Sequence, residues 1–208
     1  MDARSSGDDC AAIAGFTWDG SMCHPIVCSC GGSECDAAYA TIDACDEAHA
    51  ACYAARGVRR ECTRHADCAL APRACCEPCG RPGAESYLGI RIDSPMPGIC
   101  GPIGCPDCAS LRDPAIHPIC LDGQCTVGDL GEASACTADT ECVVRTKDCC
   151  ECMSDTSPPA LMAVGPGFSG SPPWCPNVGC PRCAATPVPS TATATCDVLS
   201  DHCRLVPP

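Results

Sequence analysis

Residues 136–152 read CTADTECVVRTKDCCEC, and residues 62–79 read CTRHADCALAPRACCEPC. Side by side they are two copies of one pattern. The pattern continues, because PGICGPIGCPDCA at 97–109 answers PPWCPNVGCPRCA at 172–184. Each copy then closes on two further cysteines. The first therefore holds Cys62, Cys68, Cys75, Cys76, Cys79, Cys100, Cys105, Cys108, Cys120 and Cys125. The second holds Cys136, Cys142, Cys149, Cys150, Cys152, Cys175, Cys180, Cys183, Cys196 and Cys203. Their intervals are 6, 7, 1, 3, 21, 5, 3, 12 and 5 residues against 6, 7, 1, 2, 23, 5, 3, 13 and 7. Matches outside the cysteines (Thr63 with Thr137, Glu77 with Glu151, Gly104 with Gly179, Pro106 with Pro181) exclude coincidence of composition. A period of this kind marks one module built twice in tandem.

Core-building residues are scarce. Leu, Ile, Val and Phe make 29 of 208 residues, and the net charge is −13. Such a chain would ordinarily stay disordered. Twenty-seven cysteines reverse that expectation, since this density marks a disulfide scaffold. Each cross-link removes entropy from the unfolded chain, at about 2–4 kcal/mol per bridge, so bridges substitute for a core. The expected fold class is small and disulfide-rich: one helical N-terminal module plus two tandem ten-cysteine repeats with short strands and long loops. Boundaries fall at 1–9 (a disordered tail), 10–60 (the N-terminal module), 61–127 (repeat 1), 128–134 (a linker) and 135–206 (repeat 2).

Disulfides persist in oxidising surroundings, which places the chain outside the cytoplasm: periplasmic, at the cell surface or secreted. The opening MDARSSGDDC has no apolar signal segment, so a leader is expected to have been removed. No stretch approaches the roughly 18 apolar residues of a membrane span. Cys10 lacks the small apolar run that precedes a lipid-anchor cysteine. The acidic balance argues against nucleic acid and anionic membrane surfaces as partners. Lys147 is the only lysine and Asn177 the only asparagine, the bias of a GC-rich bacterial genome. Asn177 precedes Val178-Gly179, so it offers no N-glycosylation site.

Within a repeat, ICLDGQCTV (119–127) reads as two strand stubs around an Asp122-Gly123 turn, and CDVLSDHCRLV (196–206) as its counterpart. ECVVR (141–145) is a further strand. The N-terminal module carries one helix, about residues 36–56, started by Ser33 and Asp36 and stopped by Gly57. Cys45 and Cys52 lie two turns apart on one face of it. A lone helix this small needs cross-linking to the preceding loop, which carries Cys10, Cys23, Cys28, Cys30 and Cys35.

Both copies share a frame: two cysteines six positions apart, an adjacent pair, a close fifth cysteine, then C-x4-CPxC. This frame resembles uncharacterised cysteine-rich secreted or lipoprotein-like proteins of myxobacteria and their relatives. The opening GFTWDGSMC (15–23), with its alanine-rich helix, resembles another module of the same group. The resemblance covers nearly all of the chain after residue 9 and implies no activity, cofactor or site residue. ADCALAPRACC (66–76) is loosely similar to the whey-acidic-protein four-disulfide core, an inhibitor scaffold with eight cysteines rather than ten.

CPDC (105–108) and CPRC (180–183) match the C-x-x-C of thiol oxidoreductases. CEPC (76–79) with CPDC approaches a zinc-ribbon spacing, which the CEC of the second copy breaks. Structural bridges outweigh both readings. The adjacent pairs Cys75-Cys76 and Cys149-Cys150 read as anchors whose side chains diverge toward different partners. An odd total leaves one thiol over, and Cys10, nearest the end, is the expected free one. No hydrolase, metalloprotease or P-loop motif occurs, and no cofactor is expected.

The function that follows is a non-enzymatic, extracytoplasmic, disulfide-stapled binding or interaction scaffold whose partner is a protein or a cell-envelope component. The surfaces singled out are the excursions between half-motifs, which offer Tyr87, Leu88, Ile90 and Arg91 in the first repeat and Leu161, Met162, Val164 and Phe168 in the second. The competing reading has these residues packing on their own module. Two further functions stand behind the first: a protease inhibitor baited with Arg91 or Leu161–Met162, and a thiol-redox or metal-binding protein acting through its CPxC motifs.

Overall fold

The computed structural model describes residues 4–5, 13–27, 30–31, 35–74, 76, 78–96, 107–109, 111–152, 154–175, 178–182 and 184–206. Cys10, Cys28, Cys75, Cys100, Cys105 and Cys183 lie outside these residues, and so does Ser33. The described strands pair in antiparallel twos, and nine disulfides are formed among the described residues. The fold is small and disulfide-rich.

In the N-terminal module, β1 (Arg4–Ser5) pairs with β4 (Cys30–Gly31), and β2 (Ile13–Trp18) with β3 (Cys23–Val27). Part of the segment 1–9, expected as a tail, therefore belongs to a sheet. Two short helices, α1 (Ile42–Ala48) and α2 (Ala50–Ala55), replace the single helix expected from residue 36. The start is later because Phe16 and Tyr39 exchange backbone hydrogen bonds of 2.9 and 2.8 Å, which holds residue 39 extended. Thr41 then caps α1, its hydroxyl accepting the Ala44 N–H at 3.2 Å. His49 interrupts the helix and stacks on Trp18, ring centroids 4.5 Å apart. Past that break Tyr53 faces the core and Cys52 does not. Cys45 bonds to Cys23, whereas Cys52, placed in the framework by helical spacing, is a free and exposed thiol.

Each repeat is two hairpins. Repeat 1 has β5 (Cys68–Pro72) with β6 (Tyr87–Arg91), then β7 (Ile116–Leu121) with β8 (Gln124–Asp129). Repeat 2 has β9 (Val143–Thr146) with β10 (Leu161–Val164), then β11 (Thr193–Asp197) with β12 (His202–Val206). The Asp122-Gly123 turn forms as expected, both residues at positive φ (50° and 76°), the geometry that twist-matched two-residue hairpins require. The linker assigned to 128–134 is less loose than its composition suggests: Gly128 and Asp129 complete β8, and Leu130 is buried.

Bridge connectivity repeats. Numbering cysteines within a copy, bonds 1–9 and 2–10 occur in both (Cys62–Cys120 and Cys68–Cys125; Cys136–Cys196 and Cys142–Cys203). Repeat 2 adds 3–6 and 4–7, Cys149–Cys175 and Cys150–Cys180. Repeat 1 adds 5–8, Cys79–Cys108. The adjacent cysteines Cys149 and Cys150 are thus separate anchors. Repetition extends to single hydrogen bonds. Asp67 Oδ2 accepts from the N–H and hydroxyl of Thr63 and from the Arg64 N–H, and Glu141 Oε2 accepts from the same atoms of Thr137 and Ala138. Those bonds hold the Asp67 carboxyl down to about 2, the Thr63 N–H contributing most.

The modules stack in series. Leu88 and Ile90 of β6 pack with Trp18, Tyr53 and Val58 of the N-terminal module. Met162 and Val164, at the same positions of β10, pack with Ala115, Ile119 and Leu130 of repeat 1. Each repeat therefore buries its excursion strand against the module before it, as in quasi-one-dimensional arrays.

Candidate functional site

Excursion residues are the first to be placed. Tyr87, Leu88 and Ile90, and likewise Leu161, Met162 and Val164, are strand residues no more than 4% exposed. They are core and inter-module contacts, which corrects their reading as binding loops. Phe168 packs against the same cluster as Met162. Arg91 stays at the surface, its Nε donating to Asp93 Oδ1 at 2.9 Å. Hydrophobicity in a Pro- and Gly-rich segment marked strands here, because the carbonyls of Ser86 and Ala160 accept the backbone N–H groups of Arg73 and Lys147 and start each pairing. With Leu161 and Met162 buried in a ladder, no bait loop exists at that position.

The described cysteine of each CPxC motif is spent on a bridge across the module. Cys180 bonds to Cys150 and Cys108 to Cys79, neither to its C-x-x-C neighbour. Cys76 and Cys152 are also disulfide-bonded. The candidate zinc set thus holds cross-linked sulfurs where four thiolates would be required.

Both repeats bury a cation at one equivalent position, a feature that sequence inspection missed because Arg73 and Lys147 sit beside cysteines in polar-looking stretches. Arg73 is 4% exposed and Lys147 3%. Arg73 pairs with Asp46 of α1 through two guanidinium nitrogens, and its Nε donates to the Tyr87 carbonyl at 2.8 Å. The Tyr53 hydroxyl donates to the same carboxylate at 2.9 Å. Burial first, then the Asp46 charge, push that phenol up to about 12. Lys147 meets no carboxylate among the described residues. Its Nζ donates to the carbonyls of Pro159 and Pro118 at 2.7 and 3.3 Å, and its own carbonyl accepts Trp174 Nε1–H at 3.1 Å. Burial lowers this ammonium to about 8. Nearby His117, whose Nε2 is buried without a partner, is lowered to about 3 by burial and then by the Lys147 charge. His65 also serves structure: its Nδ1 accepts the Cys120 N–H at 3.0 Å, and its Nε2 lies 3.3 Å from Asp148 of repeat 2.

A pocket of about 300 Å3 opens in repeat 2, lined by Thr156, Pro158, Leu161, Pro189, Thr191, Ala192, Leu205 and Val206. Six of those eight residues are apolar. Its floor is the β10–β12 contact, and its wall is the extended segment leading into β11. Nearby, Arg81, Arg112 and Arg204 gather around a wider depression rimmed by Leu111, Val198 and Leu199. No helix is long and apolar enough to cross a membrane among the described residues.

The chain matches no protein-family model, no curated protein and no solved structure.

Proposed function

We propose that this protein is a non-enzymatic binding or interaction scaffold of the cell exterior, with a protein or cell-envelope component as its partner. Its extensive disulfide cross-linking belongs to an oxidising environment. One observation carries the rest: apart from the exposed thiol of Cys52, the described cysteines are consumed by architecture, while an apolar pocket is open to solvent. Cysteines of both CPxC motifs are bridged to other half-motifs, and buried cations are satisfied by carbonyls or a carboxylate. The pocket of repeat 2 is floored by cross-linked hairpins, and such preorganisation lowers the ordering cost of binding. The likeness of the cysteine frame to secreted and lipoprotein-like proteins of myxobacteria agrees with an exported scaffold.

The test is binding of labelled, fully oxidised protein to intact cells and isolated envelopes of the producing organism. Saturable binding, displaced by unlabelled oxidised protein and not by reduced and alkylated protein, is expected. Catalysis by the protein of insulin reduction with added dithiothreitol, or equal competition by the alkylated chain, would remove the scaffold reading.

A further inference from the structure

The internal repeat shows what the open pocket is shaped to hold. Register through Cys120/Cys196 and Cys125/Cys203 sets Ala192 at the position of Ile116, Thr191 at that of Ala115, and Leu205 at that of Val127. The matching ladders of the long hairpins set Leu161 at the position of Tyr87. In repeat 1 this space is filled from within. Tyr87 is fully buried and Ile116 is 5% exposed, and the Arg112 guanidinium lies over the Tyr87 ring, 5.4 Å from its centroid. In repeat 2 the phenol ring is replaced by the shorter Leu161 and the isoleucine by Ala192, while the strand pairings around them keep the same register. Leu161 and Ala192 both line the pocket.

We propose that the repeat 2 pocket takes an aromatic side chain of phenol size, presented by a partner polypeptide. The ring stands where Tyr87 stands in repeat 1, entering from solvent onto Leu161, with Leu205 and Pro189 against its faces. Thr156 and Thr191 are the polar side chains of the lining, suited to a hydroxyl or to the partner's backbone. A partner side chain fits better than a free aromatic molecule, because about 300 Å3 is the lower limit of ordinary small-ligand pockets and the lining is nearly all apolar. The proposal rests on the scaffold reading and gives its site.

The experiment is an NMR titration of the full oxidised chain, following the methyl groups of Leu161, Leu205 and Val206. The probes are p-cresol, which is the tyrosine side chain alone, and the capped tripeptide acetyl-Ala-Tyr-Ala-amide. Both are expected to give saturable shifts at about millimolar concentration, the range that suits so few atoms. In the refilled variant Leu161→Tyr/Ala192→Ile both affinities are expected to fall at least tenfold. Val206→Glu, at the 39% exposed mouth, leaves the core alone and is expected to weaken both probes severalfold. Unsaturable shifts, or equal binding by Val206→Glu, would overturn the pocket. Binding of p-cresol with exclusion of the tripeptide would overturn the polypeptide source. Silent probes together with saturable envelope binding would remove this site and leave the scaffold reading standing.

Discussion

Lys147 offers a direct test of the inter-repeat seam. Its ammonium is buried against two carbonyls with no carboxylate beside it among the described residues, and its pKa falls from 10.5 to about 8. The unfolded chain holds this proton up to about pH 10.5, whereas the folded chain releases it near 8. Between those values the unfolded state binds more protons, so stability rises with pH, at about 1.4 kcal/mol per pH unit. Integrated from pH 7 to pH 10, the gain is about 2.5 kcal/mol. Lys147→Met removes the titrating group and keeps the length of the side chain. The assay is guanidinium unfolding with bridges intact and Cys52 alkylated, so that thiol–disulfide exchange is suppressed at alkaline pH. Trp174, bonded to the Lys147 carbonyl, reports on the seam by fluorescence. His117, the neighbour lowered by the Lys147 charge, is neutral in the folded protein throughout this range, so the difference between the two profiles isolates Lys147. Parallel profiles from pH 7 to pH 10 would refute the buried, uncompensated ammonium.

Other expectations follow from the same contacts. Arg73→Met leaves Asp46 charged and 2% exposed without its partner, and a loss of about 3–5 kcal/mol is expected in denaturant titrations. Gly128→Val places a Cβ within 2.7 Å of the Trp174 ring and 3.0 Å of Ile119 Cδ1. It is expected to separate the repeats, with a cost of about 1–3 kcal/mol from overpacking and a shift in Trp174 emission. Completing each copy of the bridge pattern from the other predicts Cys75–Cys100, Cys76–Cys105 and Cys152–Cys183; peptide mapping under non-reducing conditions that finds any of these cysteines bonded elsewhere would break the five-bridge repeat. Alkylation of native protein is expected to mark Cys52 at once, as an exposed free thiol, and a native Cys52 that resists the reagent would contradict the placement of α2.

The packing of successive modules also explains why repeat 2 ends differently from repeat 1. Gly128 and Ile119 receive Trp174 of the following repeat. At the same two positions repeat 2 carries Val206 and Thr195, and a branched side chain in place of Gly128 would collide with a ring seated in that way. The outer face of repeat 2 is therefore closed to the packing that joins it to repeat 1, and the apolar pocket beside it is a separate feature.

Cysteine order and spacing alone determined the repeat, the stapled fold class, the divergence of the adjacent pair Cys149-Cys150 and the two tight hairpins. Those features are local, or depend on the one side chain that bonds covalently to its own kind. Only the tertiary structure decided that Tyr87, Leu88, Leu161 and Met162 are core strands, since a strand's buried face depends on which module lies against it, and the excursions have no shared sequence to reveal that they pair alike. Helical periodicity put Cys45 and Cys52 on one face, but the bridge of Phe16 to Tyr39 and the break at His49 reset the register, and Tyr53 took the buried position. The exchange of Tyr87 and Ile116 for Leu161 and Ala192 is written in the sequence, yet only the tertiary structure brings Leu161 and Ala192 together with Leu205 and Pro189 around one pocket.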